Sequence, residues 1–219
     1  MTFNKKLLGL AIGLSLGLGL TAGADAATTF KLGSPGVSLD LGSGWGFSNG
    51  GEGVLGANFD LTNVNNRQWS MNVGGTETFK IGEIELVDSC IEGSGNACSG
   101  ESGNETNNLQ VTYTFNVILP GNVEVDVSAV GVAVTGDVDD SGTDLTLAFG
   151  EIVQNFGNGG QYRIDIQTVT FTGTQTRNVN AQFTLVSEST SSSVPEPMTL
   201  SLLGAGLIGL GAVARRRRS

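Results

Sequence analysis

Acidic side chains cluster in residues 137–144, where their spacing is typical of the first half of an EF-hand calcium loop. The candidate ligands carry carboxylate or hydroxyl oxygens, and they are Asp137, Asp139, Ser141 and Asp144, with Asp140 as a further donor. Ala148 stands where an EF-hand has its bidentate glutamate, so the motif is incomplete. The alternative is an exposed hairpin turn in which Asp and Gly serve the backbone. Calcium is the one cofactor that these residues suggest.

The residue types in the chain give little support for a catalytic role. The chain contains no histidine, which removes His-based acid–base catalysis, nucleophile activation and metal ligation. A glycoside hydrolase needs only two carboxylates, and 21 acidic residues are available, but no spacing marks out a pair. The tryptophans, Trp45 and Trp69, are candidates for an exposed sugar platform or for core packing. We therefore expect no enzymatic activity, with a carboxylate-based glycan hydrolase as an alternative.

The first 26 residues are typical of a secretory signal peptide with an N-terminal signal helix. Lys5 and Lys6 precede an apolar stretch over residues 7–20, and small residues follow. Ala24 and Ala26 flank one residue, the small-x-small pattern that signal peptidase cleaves, so the mature chain is expected to begin with the next residue. The apolar stretch is shorter than the roughly 20 residues that span a bilayer, which argues against a permanent anchor.

At the other end, three features follow one another in a fixed order. They are the triplet Pro195, Glu196 and Pro197, the uncharged residues 198–214, and the cluster Arg215, Arg216, Arg217 and Arg218. The uncharged segment is rich in leucine and glycine and just long enough to predict a transmembrane helix. Arginines remain on the cytoplasmic side of a membrane, so the body of the chain is predicted to lie outside the cytoplasm.

This order of features resembles the PEP-CTERM sorting tail, and the resemblance covers residues 194–219 only. It implies that an exosortase recognises the triplet, that the helix anchors the protein transiently in the inner membrane, and that the protein then reaches the cell surface or extracellular matrix. Members of the family are associated with extracellular polysaccharide and biofilm, so a polysaccharide is an implied partner. The alternative is a permanent C-terminal anchor.

Between the two ends, residues 27–186 are long enough for one domain with its own core, and residues 187–193 are a Ser/Thr spacer. The net charge of the whole chain is −10, although six of its eleven basic residues lie in the two end segments. The domain is therefore strongly acidic, which disfavours nucleic acid as a partner.

Alternating apolar residues predict strands in the domain. The clearest are residues 109–119 and 179–185, where every second residue is apolar. The apolar positions change parity near Ser128 within 123–134, and again within 162–171, which suggests β-bulges. Weaker candidates are 37–41, 54–61, 69–73, 76–87 and 145–149. Frequent Gly, Asn, Asp and Ser turns, without a helical apolar stripe, favour an all-β fold, an antiparallel β-sandwich of jelly-roll type.

Cys90 and Cys98 are the only cysteines, and in an exported domain they are expected to form a disulfide. A redox-active pair is disfavoured because the two do not have Cys-x-x-Cys spacing. The surrounding residues 88–108 are rich in Gly, Ser, Asn and Glu, which predicts an exposed loop. The combined hypothesis is a noncatalytic exported surface or matrix protein, and the alternative is a carbohydrate- or calcium-binding module on the same sandwich.

Overall fold

The computed structural model describes residues 27–46, 53–94, 98, 103–139 and 141–190. Every regular element in these ranges is a β-strand, which confirms the all-β prediction. No helix in the same ranges is long and apolar enough to cross a membrane. The predicted signal helix and the predicted transmembrane helix at 198–214 both lie outside the described residues.

The strands follow one another closely along the chain. They are β1 (Thr28–Leu41), β2 (Trp45–Gly46), β3 (Leu55–Leu61), β4 (Gln68–Met71), β5 (Thr76–Leu86), β6 (Cys90–Ile91), β7 (Gln110–Leu119), β8 (Val123–Ala133), β9 (Gly136–Asp137), β10 (Leu145–Phe149), β11 (Ile152–Phe156), β12 (Gly160–Ile166), β13 (Val169–Phe171) and β14 (Thr176–Ser187). The predicted strands at 109–119 and 179–185 correspond to β7 and β14, and the five weaker candidates coincide with β1, β3, β4, β5 and β10. The sequence patterns did not mark β11 or the first half of β1.

Twelve of these strands form two six-stranded sheets. The order is β13-β10-β8-β7-β1-β4 in the first sheet and β11-β12-β14-β5-β3-β2 in the second. All neighbours are antiparallel except β2 and β3. The remaining strands, β6 and β9, form a two-stranded ribbon. The fold is therefore sandwich-like, and its jelly-roll connectivity stays a prediction.

A single aromatic-rich core joins the inner faces of the two sheets. Phe183 of β14 is its centre, with ring contacts to Phe30, Trp69, Phe79, Phe115 and Tyr162 at centroid distances of 5.1–6.3 Å. Phe30 and Phe115 belong to the first sheet and Tyr162 to the second, so these contacts bridge the sandwich. Alternation places one side of each long strand in this core, as in β7.

The β-bulge predicted near Ser128 is wrong. The pairing of β7 with β8 runs from Gln110 opposite Val130 to Val117 opposite Val123 without a register shift. Consequently Val130 and Val132 point outward, and they are 67% and 66% exposed. The expectation failed because it assumed that every valine on the strand is buried, whereas apolar side chains make up much of any protein surface.

The second change of parity has a different cause. Residues 162–166 lie in β12 of the second sheet, whereas Val169 and Phe171 lie in β13 of the first sheet. The chain crosses between the sheets at residues 167–168, so both segments still direct apolar side chains into one core. True register shifts occur elsewhere, for example beside Leu32 in β1 and between Val179 and Asn180 in β14.

Candidate functional site

The acidic segment 137–144 forms a local turn around Asp139. Its Oδ1 accepts a hydrogen bond from the Ser141 backbone N–H at 2.8 Å and another from the Ser141 hydroxyl. Both bonds lower the pKa of the exposed Asp139 carboxyl, and the bond from the hydroxyl has the larger effect. The bonding is that of an Asx turn, in which the carboxylate serves the backbone.

Asp144 is directed away from this turn. It is buried, and its Oδ2 accepts a hydrogen bond from the Gly173 backbone N–H at 2.6 Å. Asp137 lies in the ribbon, where its backbone pairs with Cys90. Among the described residues, which do not include Asp140, no group of three or more acidic, histidine or cysteine side chains is arranged to hold a metal ion. The geometry of this segment favours the turn alternative.

The disulfide predicted between Cys90 and Cys98 is formed, with a Cα–Cα distance of 6.0 Å. It lies beside the ribbon, because Cys90 pairs with Asp137 and Ile91 pairs with Gly136. The disulfide loop and the acidic turn are therefore neighbours in space, although more than thirty residues separate them along the chain. The sequence alone gave no sign of this proximity.

The base of the disulfide loop is buried, contrary to the expectation of an exposed loop over residues 88–108. Ile91 is inaccessible, and Glu92 and Glu105 are each 1% exposed. The backbone N–H of Glu92 donates to Oε2 of Glu105 at 2.8 Å, and the backbone N–H of Glu105 donates to the Glu92 carbonyl at 3.0 Å. Sequence reasoning missed both acids because glutamate among Gly, Ser and Asn is typical of a solvated loop.

The two tryptophans pack within the protein rather than forming a sugar platform. Trp45 is 8% exposed, lies 5.0 Å from the Phe59 ring centroid, and donates from Nε1 to the Gln110 carbonyl at 2.9 Å. Trp69 stacks on Phe30 at 5.5 Å. Trp45 therefore belongs to the core, whereas Trp69 is partly buried and has one face covered by Phe30.

An open cleft of about 410 Å³ lies at the start of β13, where the chain has crossed from the second sheet to the first. It is lined by Thr168, Val169, Thr170, Arg177 and Asn178. None of these side chains is acidic, so the cleft does not offer the pair of carboxylates that a glycan hydrolase requires.

The chain leaves the sandwich beside the turn between β11 and β12. Asn158 donates from its backbone N–H to the Ser189 hydroxyl at 2.9 Å, and Thr190 donates from its backbone N–H to the Asn158 carbonyl at 2.9 Å. Gly157 has a φ of 52°, and a Cβ at this position would collide with the Ser189 hydroxyl. The first residues after β14 are therefore bonded to the folded domain.

One comparison with known families matches the segment that follows this exit. Residues 193–218 match the family model described as the PEP-CTERM protein-sorting motif. This chain carries the PEP-CTERM sorting motif. The match confirms the predicted resemblance and includes Pro195, Glu196, Pro197 and all four arginines, although these residues lie outside the part that the structure describes. No curated protein and no solved structure matches the chain.

The PEP-CTERM motif implies an exported protein that is anchored in a membrane and processed by an exosortase. The motif begins six residues after the last residue of β14, and three residues after Thr190, which is bonded to Asn158.

Proposed function

We propose that the protein is a noncatalytic structural module that an exosortase delivers to the cell surface or extracellular matrix, where it associates with extracellular polysaccharide. The observation that carries this proposal is the sorting motif directly after an acidic all-β domain. During processing the partners are signal peptidase and the exosortase. The membrane itself is a partner only through the C-terminal helix.

The outer face of the first sheet supports contact with a hydrated polymer. Side chains of β7 and β8 form hydrogen-bonded pairs there, Thr112 with Ser128 at 2.8 Å and Thr114 with Asp126 at 2.6 Å. These pairs leave a regular row of hydroxyl and carboxylate oxygens on a rigid sheet. Such a surface suits many weak hydrogen bonds with a polysaccharide rather than one deep substrate pocket.

Delivery is tested by the intact mass of the protein recovered from each cell fraction. Processing should remove a segment beginning near residues 195–197, and the shortened protein should be found at the surface or in the medium. Glu196→Gln should retain the tail and keep the protein in the membrane fraction. Glu124→Gln, the same exchange at an exposed position of β8, is the matched control and should behave as wild type. An intact tail on wild-type surface protein would reject the proposal.

The absence of catalysis is tested separately. Incubation of the purified protein with the extracellular polysaccharide of the producing cells should leave the polymer's size distribution unchanged, while the protein co-sediments with it. Depolymerisation that is abolished by a single acid-to-amide substitution would instead establish the hydrolase alternative.

A further inference from the structure

The disulfide loop contains a buried acid whose side chain has no hydrogen-bond partner among the described residues. Glu92 is 1% exposed, and both of its carboxylate oxygens are buried without a hydrogen bond. The other two buried acidic residues of the described ranges are bonded, Asp144 to the Gly173 N–H and Glu105 to the Glu92 N–H. A carboxylate removed from water without hydrogen bonds or a counter-charge is strongly disfavoured, so Glu92 requires a compensating group.

No basic side chain of the described residues supplies that group. The three ion pairs found there are Arg67 with Glu77, Lys80 with Glu83, and Arg163 with Glu151, and none of them includes Glu92. All three pairs have partly exposed side chains, so they are surface pairs of the ordinary kind. The compensating group for Glu92 must therefore come from outside these residues.

A second carboxylate is held beside Glu92 by the backbone. Oε2 of Glu105 lies 2.8 Å from the Glu92 backbone nitrogen, so the Glu105 carboxylate lies against the backbone of Glu92. The bond from the Glu105 N–H to the Glu92 carbonyl, 3.0 Å long, closes the same small ring. The disulfide at Cys90 and the pairing of Ile91 with Gly136 hold this ring against the sandwich. The two acids are thus positioned before any ligand arrives.

We propose that Glu92 and Glu105 bind a calcium ion at the base of the disulfide loop. Both side chains offer hard oxygen ligands, and the chain has no histidine, while its two cysteines are joined in the disulfide. Hard cations are therefore favoured over transition metals. Calcium accepts irregular geometry and takes the rest of its six to eight ligands from peptide carbonyls and water, so two carboxylates suffice as its charged ligands. This site differs from the acidic turn at 137–144.

The site is tested by calorimetric titration and thermal unfolding of the purified full chain with calcium chloride. Saturable binding is expected with a dissociation constant of about 0.1–1 mM, the range of extracellular calcium modules. At about 10 mM calcium and the tighter end of that range, the melting temperature should rise by about 5–10 °C. Magnesium chloride at the same concentration should give a smaller rise, because magnesium dehydrates reluctantly and requires near-octahedral geometry.

Two conservative variants and one control assign the ion to its ligands. Glu92→Gln and Glu105→Gln keep side-chain size and remove one negative charge each, and each should weaken calcium binding about tenfold or more. Asp139→Asn changes the exposed acid of the neighbouring turn and should bind calcium as wild type does. Equal responses to calcium and magnesium, or loss of binding only in Asp139→Asn, would overturn the proposal. It would also be overturned if wild type showed no calcium-dependent heat or melting shift.

Discussion

Replacing Tyr162 with phenylalanine should stabilise the protein. Tyr162 lies on β12 and is inaccessible to solvent, and its ring contacts Phe30 and Phe156 at 5.4 and 5.9 Å. Its hydroxyl is buried without a hydrogen-bond partner among the described residues. Leaving a buried polar group unpaired costs about 1–3 kcal/mol, and phenylalanine keeps the ring packing while removing that cost. We expect the free energy of unfolding to rise by about 1–2 kcal/mol.

The same substitution should change how stability depends on pH. Burial raises the pKa values of Tyr162 and Tyr113 above the ordinary tyrosine value. Below pH 10 both states keep these protons and the stability is unaffected. Above pH 10 the unfolded chain releases them first, so stability falls by about 1.4 kcal/mol per pH unit for each tyrosine. Tyr162→Phe should therefore remove half of the tyrosine contribution to the alkaline slope.

Urea unfolding at neutral pH and between pH 9.5 and 11 measures both effects. Tyr113→Phe is the matched control, because Tyr113 is also buried, on the opposite sheet, and its replacement should remove the other half of the slope. If Tyr162→Phe lowered the free energy of unfolding by more than about 1 kcal/mol, the hydroxyl must have a partner, and the reasoning would be refuted. An unchanged alkaline slope would refute the assignment of the titrating group.

Three further substitutions examine the core, the disulfide and the outer face. Phe183→Ala removes the ring that contacts five other aromatic rings, so chemical unfolding should show a loss of about 3–5 kcal/mol, and a loss below about 1 kcal/mol would contradict the core assignment. Replacing Cys90 and Cys98 together with serine should cost about 2–3 kcal/mol, measured against the wild type with its disulfide intact, because the short loop gains freedom in the unfolded chain. Val132→Thr, on the exposed face of β8, should change stability by less than about 0.5 kcal/mol in the same assay; a loss above 2 kcal/mol would mean that this side chain is buried.

Local patterns predicted the features that depend on neighbouring residues. Strict alternation located β7 and most of β14, because a half-buried strand exposes every second side chain whatever lies across the core. The sequence pattern failed at β11 because apolar and polar residues do not follow its alternating burial: Val153 is exposed, whereas the polar Gln154 lies on the same side as the buried Phe156. It also failed at residues 162–171, where one apparent bulge is a passage between two sheets.

Some of the candidate sites could likewise be predicted from local sequence, and others could not. The sorting motif and the disulfide could be predicted, since an exosortase reads a contiguous segment and an exported chain with two cysteines has one internal pairing. The acidic turn at 137–144 was found as a sequence pattern, yet the structure directs Asp144 to Gly173. Whether an oxygen faces a metal or a backbone amide depends on contacts with distant strands, which spacing alone does not report.

The sequence by itself determined that this protein is exported with a sorting motif and that its fold is all-β. The charged residues, the apolar segment and the Pro-Glu-Pro triplet are recognised by their order along the chain. They can therefore be identified without knowledge of the folded structure. Only the tertiary structure decided which polar groups lose contact with water. Glu92 is buried at the place where the disulfide, the ribbon and the bond to Glu105 come together. These three contacts join separate segments of the chain, so local sequence does not predict the burial.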